Sequence, residues 1–139
     1  MCFAFNQSFV FGVDFVMCIF LWIVQLIIYP SFAYMDLDKL NSWHSKYTRR
    51  IGVIMGPIMI LQVLLVGSFA YYEPTKITIF RLIIVLSCWV ITFLVSVPLH
   101  RKIEKSTDVS MSIKALVKTN WSRTALWSIL WMSSFISKL

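Results

Sequence analysis

The sequence predicts an all-α protein: an integral membrane four-helix bundle, antiparallel, with both termini on the outer side and a short amphipathic helix between helices 1 and 2. Three observations carry this expectation. The 139 residues are 59% hydrophobic and only 14% charged, with a mean hydropathy of +0.79, whereas soluble domains run at roughly 45–50% and about 25%. The apolar residues fall into four runs near the length, about 20 residues, that crosses some 30 Å of hydrocarbon as a helix. The basic residues, in turn, gather in two alternate connections. The chain reads as one transmembrane domain over 1–139, with spans at about 9–28, 51–71, 77–97 and 113–136.

The first span, Phe9–Ile28, has to be separated from a cleaved signal peptide, because Ser31-Phe32-Ala33 looks like a small-residue cleavage site. Residues 1–8 hold no Lys or Arg and the apolar run exceeds a signal core, so a retained helix is expected. In the connection that follows, "MDLDKLNSWHSKYTRR", Leu37, Leu40, His44, Tyr47 and Ile51 recur at helical spacing, with Asp36 at the N-cap position. A short helix at the membrane surface or in the mouth of the bundle is expected there. In the second span, "GVIMGPIMILQ", Pro57 removes a helix hydrogen bond and bends the segment. Gly52 and Gly56 suit close packing, and a bend of this kind can open a small internal cavity. "YYEPTK" makes a tight turn around Pro74, so the second and third spans should be neighbours. The third span ends at Pro98 and His100, and the fourth, about Ile113–Ile136, is the least apolar.

Charge orients the spans. Lys39, Lys46, Arg49 and Arg50 lie between the first two spans, and Arg101, Lys102, Lys105 and Lys114 between the last two. The 2–3 turn carries only Lys76 and the C-terminus only Lys138. The positive-inside rule then places the basic connections on the cytoplasmic side, as a multi-pass protein of the inner membrane in a bacterial cell. The net charge of +7 is accounted for by topology and anionic headgroups, so the lipid bilayer, and no nucleic acid, is the expected partner. Cys2, Cys18 and Cys88 show no paired spacing and read as small apolar residues rather than a disulfide framework or a metal site.

Polar residues inside apolar segments are costly, and they fall into two sets by depth. Asp14 and Arg81 lie toward the outer side, each within about 10 Å of the boundary by helical rise. Two readings stay open: Arg81 snorkels outward with Asp14 hydrated, or the two form a structural pair. The inner set is richer and comprises Gln25, Tyr29, His44, Tyr47, Arg50, Gln62, Pro98, His100, Asn120, Arg123 and Thr124. On a wheel of 100° per residue, Asn120, Arg123, Thr124, Trp127, Trp131 and Ser134 share one stripe of the fourth helix. Ala125, Leu126, Ile129, Leu130, Met132 and Ile136 form the lipid face. Arg123 therefore points inward and needs acceptors: Gln62, Tyr29, carbonyls freed around Pro57, or the oxygen of a bound molecule. The expected ligand-binding set is Gln62, Asn120, Arg123, Thr124, Trp127, Tyr29 and Gln25. Loss of Arg123 should be severe and loss of Arg81 milder.

"VPLHRKI" followed by "LVKTNWSRTALW" resembles the anthrone-oxygenase-like superfamily of small four-helix membrane proteins. The family's Pro-x-polar motif is matched by Pro98 and His100 and its Asn-x-x-Arg motif by Asn120 and Arg123, over roughly residues 77–135. His100 stands where the family pattern has Asn. The resemblance implies cofactor-free oxidation of an activated aromatic or phenolic substrate held in the membrane. His44 or His100 would be the base, Arg123 with Asn120 would stabilise an oxyanion, and Trp89, Trp127 and Trp131 would line the slot.

The resulting expectation is a polar pocket near the cytoplasmic leaflet that binds or oxidises a hydrophobic aromatic or quinone-like molecule, with His44, His100 and Arg123 as the catalytic candidates. Two alternatives stand beside it. One is an accessory or assembly subunit of a larger membrane complex, partnered by other membrane subunits or by copies of itself. The other is a b-type haem held between His44 and His100. No cofactor is the first expectation, with haem or quinone the alternatives. No acidic ring or carbonyl filter suggests a pore, and protease, P-loop and zinc-ligand patterns are absent.

Overall fold

The computed structural model describes residues 7–105 and 109–136. Cys2, Lys138 and the middle of the 3–4 connection lie outside the described residues, as do the side chains of Leu37 and Ile136. Every described element is helical. Four helices run in chain order: α1 (Gln7–Ser31), α2 (Leu37–Tyr72), α3 (Lys76–Lys105) and α4 (Ser110–Ile136). A 3₁₀ turn, Phe32–Tyr34, joins α1 to the start of α2.

By length and composition, α1, α2 and α3 can each cross a membrane. The 27-residue α4 has the length but falls short in apolarity. The expected fourth span thus exists as a helix whose polar stripe takes it out of the class of self-sufficient spans. That stripe faces protein: α4 lies against α1 on one side and α3 on the other. The outward faces of α1–α3 carry large apolar side chains, Ile27, Val53, Leu64 and Leu94 among them.

Three local expectations need correction. The short connecting helix is no separate element, since residues 37–50 run without a break into α2. Asp36 does occupy the extended residue before it, but its side chain caps nothing and instead accepts from Lys39 Nζ at 3.1 Å on the surface. The third span does not stop at Pro98; α3 continues to Lys105. A wide π turn makes this possible. Thr92–Ser96 is closed by the Val97 N–H to the Thr92 carbonyl, so the extra residue accommodates the proline ring, which would otherwise collide with the carbonyl four residues back. The same device recurs in α1, where the π turn Val24–Ile28 is closed by the Tyr29 N–H and Pro30 follows at once.

The α2–α3 turn is as tight as expected and is held by groups with no helical signature in the apolar pattern. Thr75 Oγ1 accepts the Thr78 N–H at 3.2 Å while the Thr75 N–H donates to Thr78 Oγ1 at 2.8 Å, a reciprocal cap.

Two apolar cores fill the interior. One, toward the α2–α3 turn, is built on Met17 and Leu21, Met59 and Val66, Val85 and Trp127. The other, toward the basic connections, joins Tyr29, Phe32, Leu40, Ile103, Val109 and Leu116. Leu130, expected on the lipid face of α4, is fully buried in the first core, and Ser133 beside it is buried too. Helices on both sides of α4 cover more of it than a single stripe. Ile129 and Met132 remain outward-facing as expected.

Candidate functional site

Two polar clusters interrupt these cores. The first joins all four helices around Asp14 and Arg81, which form a buried ion pair. Their neighbours add further bonds. Gln62 Nε2 donates to Asp14 Oδ1 at 2.8 Å and Ser134 Oγ donates to Asp14 Oδ2 at 2.8 Å. Arg81 Nη1 reaches Ser133 Oγ at 2.9 Å, Ser134 Oγ at 2.7 Å and the Leu130 carbonyl at 3.3 Å. Gln62 Oε1 accepts the Trp127 indole N–H at 3.0 Å. The pairing reading of Asp14 and Arg81 is the one realised, and Gln62 belongs to it. Sequence depth offers Gln62 as one acceptor for Arg123; its bonds to Asp14 and Trp127 place it in this cluster instead.

The second cluster lies at the other end of α1 and α4. Gln25 Oε1 accepts from Asn120 Nδ2 at 2.8 Å, and Gln25 Nε2 reaches the Val117 carbonyl at 3.3 Å. Asn120 Oδ1 accepts from Arg123 Nη1 at 3.2 Å, and Thr124 Oγ1 bonds back to the Asn120 carbonyl at 3.0 Å. Ser96, in the π turn of α3, lies 3.4 Å from the same Arg123 nitrogen. The guanidinium sits over the Trp127 ring, 5.6 Å from its centroid. Arg123 Nε is buried with no hydrogen-bond partner among the described residues. This arginine is oriented from behind and only partly satisfied.

A cavity of about 680 Å³ opens in front of it, between α2 and α3 with α1 at the back. Met17, Phe20, Met55 and Met59 make its apolar wall, while Tyr29, Ser96, His100 and Arg123 make its polar one. Gly52 and Gly56 border it. A Cβ on either would meet nothing within 4 Å, so they do not serve the close helix packing expected of them; they keep the cavity open. Pro57 is exposed on α2.

The two histidines meet. His100 Nδ1 and His44 Nε2 are 2.9 Å apart, His100 Nε2 lies 3.2 Å from Tyr29 Oη, and Glu104 Oε1 approaches His44 Nδ1 to 3.7 Å. Thr48 Oγ1 donates to that same Glu104 oxygen at 2.8 Å. Tyr29 thus bonds to His100 and also lies within reach of Arg123. This geometry does not fit a haem held by both imidazoles. With metal–imidazole distances of about 2 Å, the facing nitrogens would have to stand about 4 Å apart, and here they hydrogen-bond directly.

Comparison with known proteins gives no match. No family model, no curated protein and no solved structure matches this chain.

Of the inner polar set singled out from sequence, Tyr29, Tyr47, His100 and Arg123 border the cavity. His44 lies behind His100, and Gln25, Asn120, Thr124 and Trp127 lie behind or beneath Arg123. Ser96, Glu104 and Thr48 went unread, and the glycines were read for helix packing rather than for the cavity. The one signal that could have found them is the proline pair: Tyr29 precedes Pro30 and Ser96 and His100 bracket Pro98, each next to a π turn.

Proposed function

We propose that this chain is an antiparallel four-helix, multi-pass protein of the inner (cytoplasmic) membrane, with both termini on the outer side. Its cavity near the cytoplasmic leaflet binds a hydrophobic aromatic or quinone-like molecule, whose oxygen accepts from Arg123. The observation that carries this is the contrast in hydrogen bonding at the two interior arginines. Arg81 holds a carboxylate, two serine hydroxyls and a carbonyl of its own cluster, whereas Arg123 presents a guanidinium to an apolar-walled space with Nε unpaired. A buried donor without an acceptor costs about 1–3 kcal/mol, and a ligand oxygen would remove that cost. Ligand sites of this size are mostly apolar, with a few convergent polar groups.

Kinship with the anthrone-oxygenase-like superfamily belongs to this proposal at the level of fold and pocket position. It rests on Pro98, His100, Asn120 and Arg123. The basic 1–2 and 3–4 connections support the orientation, and the inward polar stripe of α4 supports its crossing in the company of α1 and α3.

The test is titration of detergent-purified protein with decylubiquinone, followed by quenching of tryptophan fluorescence. Saturable quenching is expected in the wild type and should be lost in Arg123→Leu. Absence of saturable quenching in the wild type, or equal quenching in the variant, would sink the reading.

A further inference from the structure

The row Tyr29, His100, His44 and Glu104 begins inside the cavity and ends at an exposed carboxylate that lines the same cavity, and it has a definite electrical sense. A neutral imidazole carries one N–H and one bare nitrogen. If the Tyr29 hydroxyl donates to His100 Nε2, then His100 Nδ1–H donates to His44 Nε2, and the remaining N–H of His44 faces the Glu104 carboxylate. The donors up to His44 Nε2 then meet acceptors, and His44 Nδ1–H stands 3.7 Å from Glu104 Oε1, a gap still to be closed. The opposite sense leaves a bare His44 Nδ1 against carboxylate oxygen, and it becomes satisfied only when Glu104 carries a proton. The two senses are therefore the two ends of one proton transfer.

We infer that this row is a proton-transfer path between the cavity and the basic face of the protein, serving a phenolic ligand of the Arg123 site; it rests on the reading of the cavity given above. A ligand hydroxyl at Arg123 gives its proton to Tyr29 Oη as Tyr29 passes its own to His100 Nε2. His100 passes the Nδ1 proton to His44 Nε2, and His44 passes its Nδ1 proton to Glu104. The ligand O–H breaks, a Glu104 O–H forms, and the phenolate is left beside the guanidinium. No electron changes hands. Geometry favours each member in its role. His44 is fully buried, so it cannot exchange directly with water, while Glu104 has a side chain 30% exposed. Thr48 holds the receiving oxygen of Glu104, and the 3.7 Å gap closes with a small swing of a surface side chain. The rings of His44 and His100 are held by Phe32, Tyr47 and Tyr29 around them. Lys46, Arg49 and Arg101 border the same mouth.

The experiment is rapid mixing of purified protein with 4-nitrophenol at a pH where the free probe is protonated, following the yellow phenolate. The wild type should convert bound probe quickly. Glu104→Gln, a surface change that leaves the fold intact, should reach the same final absorbance at a rate lower by about tenfold or more, within the ~10²–10⁴ that a positioned acid–base group contributes. Added formate should restore the rate, as it would not for a merely structural role. Thr48→Val should slow the reaction in the same sense by less, and Arg123→Leu should lower the final phenolate fraction. Binding with an unchanged rate in Glu104→Gln overturns the path while leaving the cavity reading intact. Absence of probe binding to the wild type overturns both.

Discussion

The molecule places an arginine in each of its polar clusters, and the two are opposites. Arg81 has a carboxylate partner, two serine hydroxyls and a carbonyl. Arg123 has an asparagine and a distant serine, an aromatic ring beneath it, an unpaired Nε and a cavity in front. A buried charge that is fully paired is a fastener, since removing one partner strands the other. A buried charge that is oriented but unfinished is a receptor. The same side chain does both jobs because its neighbours differ.

The largest effect expected from breaking this contrast is on stability, at Arg81. Arg81→Leu leaves Asp14 charged, buried and missing its counter-ion, and should cost about 3–5 kcal/mol, read as loss of folded, monodisperse protein or a steep fall in Tm in detergent. The double change Asp14→Leu/Arg81→Leu should recover most of it. A single variant as stable as the wild type would end the fastener reading. This reverses the expectation from sequence that Arg81 is the milder position, because depth along the helix did not show that Asp14 had no other cation.

Next comes Arg123→Leu, which should fold with little loss in Tm yet weaken decylubiquinone binding by about 10–100-fold, as loss of a charge-assisted hydrogen bond of ~1.5–3 kcal/mol implies. If instead Tm collapses as it does for Arg81→Leu, the two clusters are both structural. Gln62→Leu tests to which cluster that residue belongs. It strands the Trp127 N–H and one Asp14 oxygen, so about 1–3 kcal/mol of stability should go while quinone binding stays. Smallest in stability is Gly56→Ala, which should gain up to ~1 kcal/mol from helix propensity because its Cβ meets open space. Gly56→Leu should fold equally well and block quenching by filling the cavity. Binding that survives Gly56→Leu would move the ligand elsewhere.

Much of the architecture was legible because hydrophobic runs and charge placement act locally. The positions of α1, α2 and α3 follow from apolar length, the α2–α3 turn from Pro74, and the inward stripe of α4 from 3.6-residue periodicity. Most of that stripe is interior: Asn120, Thr124, Trp127 and Ser134 are buried, while Arg123 and Trp131 are half-buried. The breaks were read less well. Pro98 looked like a helix end and Asp36 like the cap of a separate helix. In fact a π turn carried α3 past its proline, and the connecting segment fused with α2. A proline announces a conflict with the helix but does not say whether the chain stops or widens.

Sequence by itself determined that this protein has three strongly apolar helices, that polar residues sit within them at two depths, and that Arg123 turns away from the apolar face of its helix. These follow from composition and period, which each residue carries wherever it folds. Tertiary structure alone decided who pairs with whom. Gln62 met Asp14 rather than Arg123, Tyr29 met His100, and two histidines 56 residues apart came within hydrogen-bond distance. Helical rise sets depth but not azimuth between helices, and a partner is chosen only when neighbouring helices have set their rotation and contact.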